Sequence, residues 1–187
     1  LEMLENFNPC FVLDLTATPK KESNIISYVD AVQLKNEHMV KLPVIVYNRD
    51  SQAEVLIDAI DLRNKLEEIA DAEYAKTGKY IRPIALFQAQ PKGKEDATTF
   101  EKLRDKLVDA GIPAEQIAIR TADVNELKNT DLMSPSCPIR YIITVNALKE
   151  GWDCPFAYIL ASLANKTSQV DVEQILGRIL RLPHTSQ

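Results

Sequence analysis

Gln174, Gly177, Arg178 and Arg181 have the residue types and spacing to bind an anion. They lie in Val172-Glu173-Gln174-Ile175-Leu176-Gly177-Arg178-Ile179-Leu180-Arg181. Wound as a helix, this stretch places Val172, Ile175, Leu176, Ile179 and Leu180 on one apolar stripe. Gln174, Gly177, Arg178 and Arg181 then share the opposite side. A glycine inside a helix costs about 1 kcal/mol relative to alanine. Here it bares the backbone between two guanidiniums, whose planar forks donate in pairs to phosphate oxygens. The rival reading is a solvated helix face that carries two arginines.

A second cluster runs from Thr144 to Pro155, Thr-Val-Asn-Ala-Leu-Lys-Glu-Gly-Trp-Asp-Cys-Pro. It leaves an apolar run at Thr144, turns at Gly151 and presents Asp153. Turns favour glycine and aspartate, so Gly-x-Asp alone says little. Its weight comes from standing at a strand end, one strand before the arginine stretch.

The elements that must position these residues alternate along the chain. Apolar or β-branched runs at 11–15, 40–47, 81–87, 117–119, 139–145 and 157–163 predict strands. Pro43 puts the second of these at a sheet edge or strand start. A short helix is expected around 29–34, and amphipathic helices over about 52–76 and 97–110, stopped by Gly78 and Gly111. Residues 123–128 fit one helical turn, and 88–93 and 129–138 read as loops. The alternation argues for an α/β fold, a mostly parallel sheet with helices on both faces. Ligand sites in such folds lie beyond the carboxyl ends of the strands.

Composition narrows the function classes. The 187 residues are 45% hydrophobic, enough for a core, and carry a formal net charge of -5. An acidic chain has no bulk footprint for a polyanion, so any nucleic-acid contact must be local. Cys10, Cys137 and Cys154 show no C-x-x-C spacing and suit a reduced, cytoplasmic setting. No membrane segment is evident. Two histidines suggest neither a metal cluster nor a catalytic triad, so no metal ligands are assigned. Glu126-Leu127-Lys128 is an E-x-K triplet of the nuclease type, a pattern that any charged helix can produce. A small-molecule α/β enzyme would need a nucleophile or base that the sequence does not display.

Taken together, Gln174-x-x-Gly177-Arg178-x-x-Arg181 resembles motif VI of superfamily 2 helicases and translocases. Thr144 to Asp153 resembles their motif V, Thr16-Ala17-Thr18 their motif III, and Ile84-Ala85-Leu86-Phe87 sits where motif IV would. Leu15-Thr16-Ala17-Thr18-Pro19-Lys20, Asp30-Ala31 and Val40-Lys41-Leu42-Pro43 further resemble the restriction subunit of type III restriction-modification enzymes. The likeness spans about residues 13–181.

The resemblance implies a RecA-like fold. Residues 1–19 would be the last strand of a first lobe, with Thr16 and Thr18 in the coupling motif, and 20–187 the second lobe. The five glycines, at 78, 93, 111, 151 and 177, include no G-x-x-x-x-G-K-[ST]. The ATP phosphate loop and the Mg²⁺ ligands are therefore expected on that first lobe. Arg178 and Arg181 would reach the γ-phosphate as catalytic residues. Gln174 and Gly177 would serve the same nucleotide, Asp153 its ribose, and Gly151 close backbone approach. Thr144 would touch nucleic-acid phosphates. Trp152 departs from the aliphatic residues of many relatives and reads as packing. The implied partners are DNA, the first lobe, a nuclease domain and a modification methyltransferase subunit. Two alternatives stay open: another superfamily 2 repair or remodelling motor, and a non-catalytic docking module.

Overall fold

The computed structural model describes residues 8, 10–13, 24–41, 43–91, 98–145, 154–163 and 179–183. The chain divides into two compact units, Leu1–Asp30 and Ala31–Gln187. In the first unit, Phe11, Val12 and Leu13 are exposed and irregular, where a buried strand was expected over 11–15. Asp14 and Leu15 lie outside the described residues, as do Thr16 and Thr18.

The second unit carries the helices α1 (Ala31–Asn36), α2 (Gln52–Thr77) and α3 (Phe100–Asp109). It also carries the strands β1 (Ile84–Gln88), β2 (Ile117–Arg120), β3 (Tyr141–Thr144) and β4 (Ala157–Ser162). Among the described residues these strands form one sheet in the order β2-β3-β1-β4, and every pairing is parallel. The α/β sheet expected from the alternation is therefore present.

Local signals account for the helix limits. Ser51 caps α2 by accepting from the Glu54 amide at 3.1 Å, the first half of a Ser-x-x-Glu capping box. Gly78 ends the helix in the left-handed region at φ 70° and donates its amide to the Tyr74 carbonyl at 2.8 Å. Thr99 caps α3, and Gly111 follows it at φ 89°.

Strand alternation divides the core between two faces. On the first, Ala85, Phe87, Ile117, Ile119, Tyr141, Ile143, Ile159 and Ala161 meet Leu56 and Ala59 of α2 and Leu103 and Leu107 of α3. On the second, Ile84, Leu86, Ala118 and Ile142 are covered by Leu127, Leu132 and Cys137 from the irregular β2–β3 connection, and by Cys154, Phe156 and Ile179. The chain thus crosses from β1 to β2 over the first face through α3, and arrives at β4 along the second. The two crossovers diverge at the adjacent strands β1 and β3. Their carboxyl ends form the switch point at which ligands bind in open α/β sheets.

Buried arginines hold the amino-terminal side of the sheet. Arg82, 1% exposed, donates to the carbonyls of Leu132 (2.6 Å), Ser134 (2.8 Å) and Ile139 (2.9 Å), fastening the β2–β3 connection. Arg63 donates to the Pro83 carbonyl at 3.2 Å and lies over the Tyr141 ring. Its other end meets Glu67 as an ion pair, and Arg140 joins the same carboxylate at 2.9 Å. Burial raises the Tyr141 phenol above its ordinary range, against the opposing pull of the Arg63 charge.

Two further local expectations are overturned. The run 40–47 forms no strand: Val40 makes an isolated bridge, and Val44 to Tyr47 are exposed. β-Branched residues favour extension, but Pro43 supplies no donor and, among the described residues, no sheet edge pairs with the segment. Residues 123–128 are a chain reversal rather than a helical turn. The Thr121 amide donates to the Val124 carbonyl at 2.7 Å, and Asn125 bridges back to Arg120.

Candidate functional site

Each strand ends on a polar residue, and the register aligns all four. Arg120 pairs with Thr144, Thr144 with Gln88, and Gln88 with Ser162. Residues in register on parallel strands share a face. The preceding residues Ile119, Ile143, Phe87 and Ala161 belong to the first face, so the polar row continues the second. It begins one strand period beyond Ala118, Ile142, Leu86 and Leu160. The Ser162 hydroxyl donates to Gln88 Oε1 at 3.0 Å, and Ala89 donates its amide to the Thr144 carbonyl at 2.8 Å.

A second polar cluster secures this end of the sheet. Gln90 Nε2 donates to the Leu163 carbonyl at 2.9 Å, and its Oε1 accepts from the Thr98 amide at 2.9 Å. The Thr98 hydroxyl reaches Gln52 Oε1 at 2.7 Å. Thr98 and Gln90 are buried and their polar atoms are paired, so the cluster acts as a fastening between α2, β1 and β4.

Thr144 occupies the strand end expected of it, at the switch point. Its side chain is enclosed, with the residue 1% exposed. Arg181 is exposed and lies elsewhere. It forms an antiparallel bridge with Val40, while the neighbouring Leu182 amide donates to the Met39 carbonyl at 3.2 Å. Lys41 joins this corner to the amino-terminal end of β4, donating to the Ala157 carbonyl at 2.8 Å. Thr144 and Arg181 are therefore at opposite ends of the strands and are not brought together.

Of the arginine stretch, only residues 179–181 are described. Ile179 is helical and buried on the second face, Leu180 bends, and Arg181 is extended. Pro183 follows two residues later and opposes further helix, and the Val40 backbone offers a partner instead. Arg181 is thus extended rather than helical as expected. Gly151, Asp153, Gln174, Gly177 and Arg178 lie outside the described residues.

The E-x-K triplet has a structural use. Glu126 accepts from Arg104 Nη1 at 2.9 Å and from the Ile119 amide at 2.7 Å, while Leu127 is buried. Among the described residues no group of histidine, cysteine and carboxylate side chains is placed to hold a metal ion. No described helix is long and apolar enough to cross a membrane. The residues that sequence reasoning missed are Arg120, Gln88 and Ser162. Their shared signal, a polar residue closing each apolar strand, acquires meaning only with the register.

Comparison with protein-family models, with curated proteins and with solved structures finds no match for this chain.

Proposed function

We propose that the chain is the second motor lobe of an ATP-dependent DNA translocase or helicase, most like the restriction subunit of type III restriction-modification enzymes. The observation that carries this reading is the position of Thr144. It closes a central parallel strand at the switch point, one strand before the glutamine-arginine stretch whose Ile179 packs on the same face of the sheet. That order of strand end, strand and arginine segment is what a second lobe requires.

In this reading Arg178 and Arg181 donate to the γ-phosphate of an ATP held mainly by the other lobe. The exposure of Arg181 fits a residue that meets a ligand presented by a separate body. Such arginines stabilise charge that grows over the phosphoryl oxygens, contributing about 10³ to 10⁵ in rate in other phosphoryl-transfer enzymes. Gln174 and Gly177 serve the same nucleotide, and Gly151 and Asp153 its ribose. The Thr144 strand end serves the nucleic-acid backbone, with contacts that position without reading sequence. Mg²⁺ ligands and the phosphate loop belong to the first lobe. A nuclease domain and a modification subunit complete the assembly, and three cysteines outside any disulfide suit its cytoplasmic setting.

ATP hydrolysis measured on this chain alone and on the chain joined to its first lobe tests the reading. The joined protein is expected to hydrolyse ATP in a DNA-stimulated manner, and the chain alone to be inactive. Mg²⁺-dependent turnover by the chain alone, abolished by changing its own residues, would contradict the two-lobe assignment.

A further inference from the structure

Hydrogen bonds join residues 39–41 to residues 179–182. The Lys41 amide donates to the Leu180 carbonyl at 2.5 Å, and the Leu182 amide to the Met39 carbonyl at 3.2 Å. The Lys41 ammonium donates to the Ile179 carbonyl at 2.5 Å. One residue thus holds, through its backbone and its side chain, the two consecutive carbonyls that precede Arg181. The Leu180 carbonyl shares a rigid peptide plane with the Arg181 amide, so fixing it fixes the direction in which the chain enters Arg181. The same ammonium reaches the Ala157 carbonyl at 2.8 Å and lies 4.2 Å from the centre of the Tyr158 ring. Ala157 opens β4, so the sheet is the reference against which the arginine segment is placed. An ammonium presents several donors on one atom, which lets a single side chain hold carbonyls from two segments.

We infer that Lys41 is a positioning residue for phosphoryl transfer, holding residues 179–181 so that Arg181 is presented in a fixed place to the nucleotide on the other lobe. This inference rests on the motor-lobe reading and adds the device that aims one of its arginines. Arg181 is exposed, and its backbone bridges to Val40 instead of continuing a helix. Its aim then depends on that bridge rather than on the hydrogen bonds of a helix. Lys41 supplies the tie from the bridge to β4. Such a tie bears on rate because a displacement of about 1 Å, caused by a change away from the reacting atoms, can cost about 10²-fold. Lys41 meets carbonyls and a ring, so its effect on the reaction passes through Arg181.

The test is a double-mutant cycle on DNA-stimulated ATP turnover by the intact motor, with wild type, Lys41→Met, Arg181→Ala and the double variant, assayed well below their melting temperatures. Lys41→Met keeps the stem and removes the ammonium. It is expected to lower kcat by about 10²-fold while KM for ATP changes by less than about threefold. In the Arg181→Ala background the same substitution is expected to cost less than about threefold, because a residue that acts through Arg181 has nothing left to aim. A merely structural lysine would lower kcat by the same factor in both backgrounds, and that result would overturn the inference. So would wild-type kcat in Lys41→Met, or a raised KM with unchanged kcat, which would mark a nucleotide contact. Lys41→Gln, which keeps a donor on a neutral group, serves the same cycle with the same criteria where Lys41→Met does not fold. Wild-type turnover in Arg181→Ala would overturn the arginine role in the motor reading itself, and the inference with it. A deficient Arg181→Ala beside a fully active Lys41→Met would leave that reading standing and remove only the role given to Lys41.

Discussion

The Lys41 ammonium donates to the carbonyl oxygen of Ile179 at 2.5 Å, on the last helical residue of the arginine segment. A second bond reaches the Ala157 carbonyl at 2.8 Å, and the ammonium lies 4.2 Å from the centre of the Tyr158 ring. A cation at a helix carboxyl end satisfies a carbonyl without an intrahelical partner and complements the dipole. Lys41 therefore ties Ile179 to the first residue of β4.

Replacing Lys41 should accordingly loosen the corner that holds Arg181. Lys41→Met is expected to cost about 1–3 kcal/mol, the range for hydrogen bonds to a charged donor with a modest ring contribution. Chemical denaturation of the two proteins measures this directly, and equal midpoints would contradict the role given to the lysine.

Arg82 offers a harsher case. In Arg82→Met the carbonyls of Leu132 and Ile139 lose this donor, while that of Ser134 keeps the Cys137 amide at 3.1 Å. A loss of roughly 2–4 kcal/mol is expected from three lost charged hydrogen bonds, offset by removal of the buried charge. Amide exchange should accelerate first over residues 132–139. Uniform protection in the variant would show that the connection is held by other means.

Tyr141 gives the fold a defined alkaline weakness. Burial raises its folded-state pKa above the ordinary value of 10.0. The unfolded chain then releases the phenolic proton at lower pH than the folded one. The associated stability is complete below pH 10 and declines as pH rises through the folded value. Melting temperatures of wild type and Tyr141→Phe should diverge above pH 10, with wild type falling faster. Parallel curves across that range would contradict the assignment.

Periodicity made the parallel α/β sheet legible, because buried strands and amphipathic helices differ in repeat and because Gly78 and Gly111 mark helix ends. It misjudged segments whose state depends on a partner. Val40 to Tyr47 has the composition of a strand and no sheet edge to join. Arg181 has helical spacing, yet Pro183 and the Val40 backbone draw it into an extended bridge. The row of Arg120, Thr144, Gln88 and Ser162 was hidden for a related reason. Its members stand far apart in sequence, and only the register brings them to one line. Thr144 alone was visible in advance, because its strand and the following Gly-x-Asp are local features.

The isolated chain should bind nucleic acid weakly. Its net charge is -5, and a short polar row offers few phosphate contacts, so affinity should fall steeply with added salt. Fluorescence anisotropy with an unstructured oligonucleotide at 50 and 200 mM salt checks this. Tight, sequence-selective binding that survives the higher salt would point to a different kind of module.

The central claim is that the segment from Gln174 to Arg181 serves phosphoryl transfer in a two-lobe motor. Its most direct test is DNA-stimulated ATP turnover by the intact motor carrying Arg178→Ala or Arg181→Ala. Interactions that strengthen in the transition state affect rate more than ground-state binding. Turnover is therefore expected to fall by about 10³-fold or more, the lower range for such arginines, with nucleotide and DNA affinity changed far less. Lysine at either position should rescue little, since a point charge does not reproduce the planar fork. Wild-type turnover in both alanine variants would contradict the claim and leave the segment an ordinary polar surface.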